Sequence, residues 1–233
     1  MLIIKRRPLA VCALFLFSVA PGYAAAVQLV GDTMIYEYDD GVNATALLTF
    51  GTPSILGDTV RFLPPSFEAR SVGSDGDGLV TTAESFVFSN VYSISGAEIV
   101  SIALTEFGDY KITNGDNVSV DAELEIKNNP GQTESAMVSS SFAAMGDSGV
   151  LPQFWQVDLD INPALEFISS ANDVSLTIHN TLKAETDAFD EVAWIQKKFT
   201  ITTAAIPVPA SVWLFGSALG LLGVARRRFS GKA

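Results

Sequence analysis

The sequence predicts an all-β fold, an antiparallel β-sandwich of jelly-roll type, flanked by an N-terminal signal helix and a C-terminal transmembrane helix. Between residues 27 and 205, apolar and polar residues alternate with a period of two, which places one face of each strand in a core. Turns rich in Gly, Asn and Asp separate these runs, and no convincing amphipathic helix interrupts them. Two antiparallel sheets that face each other across one core are therefore expected. The flanking helices are predicted from an apolar segment at each end of the chain.

The strongest strand prediction covers residues 118–127, where apolar and polar residues alternate through ten positions. The segment 86–94 is predicted to form a strand pair, and a short helix is an option for residues 185–191. The core-facing residues predicted for three further strands are Val100, Ile102 and Leu104; Trp155, Val157, Leu159 and Ile161; and Val174, Leu176 and Ile178.

The N-terminal residues 1–26 predict a secretory signal peptide. Residues 5–7 are basic, residues 9–19 are apolar, and small residues allow cleavage after Ala24 or Ala26. Such a signal implies the secretion translocase and signal peptidase as partners.

Charge is distributed unevenly along the chain. The two terminal segments hold seven basic residues, whereas all 26 acidic and seven further basic residues lie between them, so the central domain, residues 27–205, has a net charge of −19. A domain of that charge repels phosphates, which excludes nucleic acid as a partner. The single cysteine, Cys12, lies in the signal segment, so the exported domain is predicted to contain no disulfide.

Residues 206–233 predict a membrane-anchored tail. Pro207 and Pro209 end the preceding fold, because proline lacks an N–H and biases the residue before it toward extended geometry. No charged residue occurs in residues 210–225, which are therefore predicted to form a transmembrane helix. Counted from Ile206, the apolar segment would span about 30 Å as a helix, the thickness of the hydrocarbon core of a bilayer. By the positive-inside rule, a cytoplasmic end is predicted at Arg226, Arg227 and Arg228.

Three features follow one another in this tail. They are the motif Pro207, Val208, Pro209 and Ala210; an apolar span that begins Trp213, Leu214, Phe215, Gly216 and Ser217; and the triple arginine. Their order resembles the PEP-CTERM sorting tail of Gram-negative bacteria in its VPxPA-type variant, although Val208 stands where the core form has Glu. The resemblance implies an exported protein, held briefly in the inner membrane and cut by the membrane protease exosortase near the Pro-x-Pro motif. It also implies a bacterium that makes exopolysaccharide and, by association, a role in biofilm formation.

No catalytic site is predicted. The sequence Gly146-Asp147-Ser148-Gly149 matches the surroundings of the nucleophile in chymotrypsin-like proteases, but no histidine precedes Ser148, as that mechanism requires. It is also similar to the GDS motif of SGNH esterases, which need Asp two residues before their His, where this sequence has Thr177. A Gly-Asp turn is expected instead. His179, the only histidine, falls on the polar side of its strand and is expected to be an ordinary exposed residue.

The candidate metal site is the turn Asp75-Gly76-Asp77-Gly78. Alternate carboxylates around glycines suit a hard cation such as calcium, but Leu79 stands at the fifth position, where an EF-hand loop needs a ligand. Calcium at Asp75 and Asp77 and a solvated loop without metal remain the two alternatives. No other cofactor is predicted.

Together these patterns predict an exported, non-enzymatic surface or extracellular-matrix protein. It is expected to pass through a single-pass inner-membrane intermediate with a periplasmic domain, and exopolysaccharide is a candidate partner. One alternative is a carbohydrate-binding module, and another is a secreted hydrolase, which would need two facing carboxylates in a cleft.

Trp155 shares the core phase of its strand and is interpreted as packing. The aromatic candidates for stacking on sugar rings are Tyr36, Tyr38, Trp155 and Trp194.

Overall fold

The computed structural model describes residues 26–75, 78–114, 116–129 and 134–205. Strands dominate these residues, so the all-β prediction is confirmed. The predicted signal peptide up to residue 25 and the whole predicted sorting tail lie outside the described residues. Of the two helices in the described ranges, neither has the length and apolar character that a membrane span requires.

The elements are numbered in chain order. The strands are β1 (Ala26–Val30), β2 (Met34–Asp39), β3 (Ser54–Leu56), β4 (Thr59–Phe62), β5 (Glu68–Val72), β6 (Leu79–Ser93), β7 (Ile99–Thr113), β8 (Asn117–Asn128), β9 (Ser135–Met145), β10 (Gln153–Ile161), β11 (Asp173–Glu185), β12 (Val192–Gln196) and β13 (Lys198–Ala205). The helices are α1 (Ala44–Phe50) and α2 (Pro163–Glu166), and a 3-10 turn, Gly73–Asp75, follows β5.

The strands pair into two antiparallel sheets. The first sheet has the order β1-β2-β6-β11-β8-β9, and the second has the order β3-β4-β13-β7-β12-β5. The 15-residue strand β7 organises the second sheet, because β13 and β12 follow each other along one of its edges and β10 pairs with the opposite edge. One continuous core, built from buried residues of both sheets, lies between them.

Alternation decides which side chains enter this core. In β8 the predicted core residues are all buried, and the same holds for the predicted residues of β10 and β11. Because side chains of a strand point to opposite faces in turn, a single burial phase runs through each of these strands. Six phenylalanines form the largest aromatic group of the core, with ring centroids 4.3 to 6.2 Å apart: Phe50, Phe62, Phe67, Phe86, Phe88 and Phe199.

Two strand predictions were wrong. Residues 86–94 do not form a strand pair, because residues 79–93 are one continuous strand, β6, whose pairing with β11 shifts between Val174 and Leu176. Near the start of β7, the pairing with β13 also shifts, so that Ile99 is fully buried and Val100 is not. An extra residue in one strand changes the face that the following side chains occupy, which strict alternation does not anticipate.

The helix considered for residues 185–191 is absent from the described structure, where β11 extends to Glu185 and a turn follows. The carboxylate of Glu191 accepts the N–H groups of Asp187 and Ala188 at 2.8 and 3.0 Å, and Asp190 has a positive φ of 72°. These side-chain to main-chain bonds stabilise a turn in place of a helix.

Helix α1 was not predicted, because seven residues are too few to show a helical period. It buries Ala46 and Phe50 against the core. The preceding residue, Asn43, is buried. Its side-chain amide forms two hydrogen bonds with the main chain of β6: Oδ1 accepts the N–H of Val87 at 2.8 Å, and Nδ2 donates to the carbonyl of Val87 at 2.9 Å. Since β2 pairs with β6 only at residues 90–93, Asn43 satisfies main-chain groups that β2 does not reach.

Replacing Asn43 with alanine should lower the free energy of unfolding by about 1–3 kcal/mol, because the main-chain N–H and C=O of the half-buried Val87 would lose their side-chain hydrogen-bond partner. Equilibrium denaturation in urea would measure this. The matched control is Asn172→Ala, at an exposed asparagine that accepts a bond from Ser170, which should change stability by less than about 0.5 kcal/mol. Equal effects of the two substitutions would contradict the role assigned to Asn43.

Candidate functional site

Three polar residues occupy core positions in strands that are otherwise apolar on that face. Glu106 lies on β7, Asn180 lies on β11, and Lys197 lies between β12 and β13. Their exposed fractions are 0 %, 2 % and 2 %. We call these three residues the polar core cluster. Each lies on the buried face of its strand segment together with apolar neighbours. These are Ile102 and Leu104 for Glu106, Ile178 and Leu182 for Asn180, and Ile195 and Phe199 for Lys197.

The two sheets bring the cluster together. Lys197 Nζ contacts both Glu106 Oε2 and Asn180 Oδ1, so a residue of the first sheet meets two residues of the second. The contact with Glu106 is an ion pair, and the polar contacts of the Glu106 carboxylate come from Lys197 and Asn180. The three buried side chains are therefore polar partners of one another.

The main chain holds Lys197 in place at a gap in the sheet. The pairing of β7 with β12 ends at Ile195, and its pairing with β13 begins at Lys198. In the gap, Lys197 N donates to the carbonyl of Phe67 at 3.2 Å, and Trp155 Nε1 donates to the carbonyl of Gln196 at 3.0 Å. These bonds satisfy main-chain groups that the sheet leaves unpaired and aim the lysine side chain into the core.

Apolar rings surround the lysine ammonium group. Nζ lies 5.8 Å from the ring centroid of Phe67 and 5.3 Å from that of Phe199. Burial lowers the pKa of Lys197 to about 8, although the neighbouring Glu106 charge acts in the opposite direction. Burial likewise raises the pKa of Glu106, and the Lys197 charge offsets this only in part. Both shifts favour a pair in which lysine and carboxyl are uncharged.

The sequence analysis missed this cluster, because it singled out no charged residue in the core phase of a strand. A signal was nevertheless present: Glu106 follows Ile102 and Leu104 in the apolar phase, and Lys197 stands in the same way between Ile195 and Phe199. Charged residues of opposite sign in the core phase of two strands indicate a buried pair.

A second feature lies on the outer face of the second sheet. There Trp194 pairs across the strands with Arg70 on one side and with Lys111 on the other. A groove of about 400 Å³ surrounds them, and we call it the Trp194 groove; its lining residues are Glu68, Arg70, Lys111, Thr113, Val192, Trp194 and Gln196. Phe107 and Phe154 lie on the same sheet face, with their ring centroids 6.5 Å apart.

The other aromatic candidates for sugar stacking are buried. Tyr36 and Tyr38 are 0 % and 2 % exposed, so the interpretation of both as surface residues was wrong. Tyr36 donates its hydroxyl proton toward the Asp58 carbonyl or Thr203 Oγ1, at 2.7 and 2.6 Å. Trp155 is 1 % exposed, which confirms its interpretation as packing.

Ser148 and His179 occupy separate places. Ser148 Oγ accepts the N–H of Ile112 at 2.8 Å and lies 3.1 Å from its carbonyl, within a turn where Gly146 and Gly149 have positive φ. The expected Gly-Asp turn is thus confirmed. His179 lies on the outer face of the first sheet, partly exposed as predicted, with Nδ1 2.7 Å from Ser85 Oγ.

Only one of the two predicted calcium ligands is among the described residues. Asp75 ends the 3-10 turn, and Asp77 lies outside the described residues. A different acidic group, Asp116, Asp187 and Glu191, has carboxylate oxygens within 4.8 Å of one another in the adjoining loops. Calcium at Asp75 and Asp77 stays a prediction.

Compared with known proteins, the chain matches no protein-family profile and no curated protein.

Replacing Gly108 with alanine should disrupt the position of Lys197. A Cβ at Gly108 would lie 1.9 Å from the carbonyl oxygen of Gln196 and 3.0 Å from Trp155 Nε1, so the main chain beside the cluster would have to move. We expect the free energy of unfolding to fall by about 2 kcal/mol or more, measured by chemical denaturation.

Gly96→Ala is the matched control, because its Cβ would meet no atom within 4 Å and only its positive φ of 70° would be strained. That strain costs about 1 kcal/mol. A Gly108 variant no less stable than the Gly96 variant would contradict the close approach.

Proposed function

We propose that the chain is an exported, non-catalytic surface or extracellular-matrix protein that exosortase processes and that associates with exopolysaccharide in a biofilm. The observation behind the proposal is the order of features in the tail: a Pro-Val-Pro-Ala motif, an uncharged apolar span and three arginines. In this proposal a jelly-roll-like sandwich is flanked by a signal helix and by a transmembrane helix over residues 210–225.

The charge distribution supports this route. Both apolar termini have their basic residues on the side that stays in the cytoplasm, so the domain between them would cross the membrane through the secretion translocase. Signal peptidase would then remove the N-terminal segment. The central net charge of −19 favours solubility outside the membrane and disfavours nucleic acid.

The geometry of the polar residues supports a non-catalytic role. Ser148 is bonded to the main chain of Ile112 in the second sheet, whereas His179 faces outward from the first sheet. The hydrolase alternative needs two carboxylates that face each other across a cleft. Asp121 and Glu123 line a shallow depression of about 330 Å³ beside His179, but they lie side by side on one strand.

A second candidate function, carbohydrate binding, is favoured by the Trp194 groove. An indole face suits stacking on a sugar ring, and Arg70 and Lys111 on either side suit a carboxylate or sulfate substituent. The groove lining holds two cations, Arg70 and Lys111, and one carboxylate, Glu68, in a domain whose net charge is −19. This local excess of positive charge favours an anionic polysaccharide as the polymer.

Replacing both Pro207 and Pro209 with alanine should leave export intact and trap the protein in the inner membrane. Fractionation of cells with a tag in the exported domain, with mass spectrometry of the mature C-terminus, measures export, anchoring and cleavage together. The matched control changes Pro64 and Pro65, in the loop before β5, and should reach its destination normally. A Pro207/Pro209 variant that is cut and released like the unchanged protein would show that the sorting interpretation is wrong.

Replacing Trp194 with alanine should weaken binding to a polyuronate about tenfold, because loss of a stacked aromatic contact costs roughly 1–2 kcal/mol. Isothermal titration with polygalacturonate, and with neutral dextran for comparison, measures this. Phe189→Ala serves as control, since this aromatic is 73 % exposed and does not line the groove. Binding to neither polymer by the unchanged protein would exclude this second function.

A further inference from the structure

The polar core cluster holds three polar side chains in an apolar core. Burying a charged pair is costly, and apolar residues of similar size at the same positions are often as stable or more stable. Lys197 Nζ contacts the amide of Asn180 and the carboxylate of Glu106 at the same time. An amine, an acyl group and a proton-transfer group thus lie together, which is the set of groups that amide formation requires.

We propose that Lys197 and Asn180 become joined by an isopeptide bond between their side chains, in a reaction for which Glu106 transfers the protons. The geometry supports each part of this proposal. Lys197 Nζ contacts Oδ1 of Asn180, which is bonded to the carbon that would be attacked, and the same nitrogen contacts Glu106 Oε2. All three side chains are held in a buried site between the sheets.

The surroundings favour the reactive protonation states. An amine must be uncharged to act as a nucleophile, and burial lowers the pKa of Lys197 to about 8. A carboxyl group must be protonated to donate to the amide oxygen, and burial raises the pKa of Glu106. The rings of Phe67 and Phe199 help to exclude water, so that hydrolysis does not compete with attack by the lysine.

The reaction balances without any further reagent. The lone pair of Lys197 Nζ forms a bond to Asn180 Cγ, while the Glu106 carboxyl group donates a proton to the amide oxygen. The Glu106 carboxylate then takes a proton from Nζ and passes it to Nδ2 of Asn180. The bond between Cγ and Nδ2 breaks, ammonia leaves, and the proton on the amide oxygen returns to Glu106. The products are one new amide and one ammonia, and nothing is oxidised or reduced.

A neighbouring pair shows why only the buried lysine should react. Lys183, also on β11, lies 2.8 Å from the Asp121 carboxylate, but the two side chains are 39 % and 55 % exposed. A hydrated ammonium next to an ionised carboxylate is neither a nucleophile nor an activated acyl group. This surface pair should remain ionic and serves as an internal control.

The proposed bond would connect the two sheets. Asn180 belongs to β11 in the middle of the first sheet, and Lys197 follows β12 in the second. The only cysteine of the chain is Cys12, so a disulfide cannot form such a connection within the central domain. This inference does not depend on export or on polysaccharide binding.

Peptide mapping of the full-length protein, purified in its folded state, tests the bond directly. Trypsin does not cut after an acylated lysine, so residues 128–183 should stay joined to residues 184–198. The joined product should be about 17 Da lighter than the two peptides together, which is the mass of the released ammonia. Fragmentation should assign the link to Asn180 and Lys197, and Lys183 should carry none.

Recovery of the two peptides as separate species from folded protein would overturn the proposal. This measurement needs no variant, so it holds even if a substitution in the core prevents folding. Circular dichroism on the same sample establishes that the protein is folded.

Variants identify the role of each residue. Lys197→Met keeps an apolar chain of similar length and should abolish the link. Glu106→Gln keeps the shape of the side chain but cannot transfer protons in the same way, so the link should be lost or form at least about tenfold more slowly. Lys183→Met, the surface control, should retain the full link. An unchanged yield and rate of linking in Glu106→Gln would overturn the assignment of Glu106.

Discussion

Alternation of side chains along the antiparallel strands is the constraint on which this structure depends. Because every second residue of a strand covered on one face must enter the core, a polar residue in that phase is buried regardless of its preference for water. Glu106, Asn180 and Lys197 stand in this phase, and the packing of the two sheets brings them into mutual contact. Burial of any one of them alone would be costly, so the three positions depend on one another.

The same apolar surroundings that form the core also determine the chemistry of the cluster. Phe67 and Phe199 border the ammonium group of Lys197 and belong to the group of phenylalanines between the sheets. Their low polarity moves the pKa of Lys197 down and that of Glu106 up, toward an uncharged pair. The low polarity of the core therefore accounts both for the packing of the phenylalanines and for the pKa shifts on which the proposed reaction of Lys197 depends.

The two outer faces of the molecule have different characters. The first sheet presents Asp121, Glu123 and His179 among serines and threonines, in a shallow polar depression. The second sheet presents Trp194 between Arg70 and Lys111. The second face also carries the carboxylates of Glu68, Asp109 and Asp158, so its positive charge is confined to the surroundings of Trp194.

The sequence by itself determined the all-β class and the core phase of β8, β10 and β11, because alternation is a local property that each strand displays alone. The sequence also predicted the turn at Ser148 and the two apolar terminal segments. Three features became visible only in the tertiary structure: the bulge at Val100, the helix that follows Asn43, and the contact among Glu106, Asn180 and Lys197. These features depend on which strands become neighbours and on where the register shifts, and residues 74 or more apart along the chain, such as Glu106 and Asn180, meet only when the sheets pack.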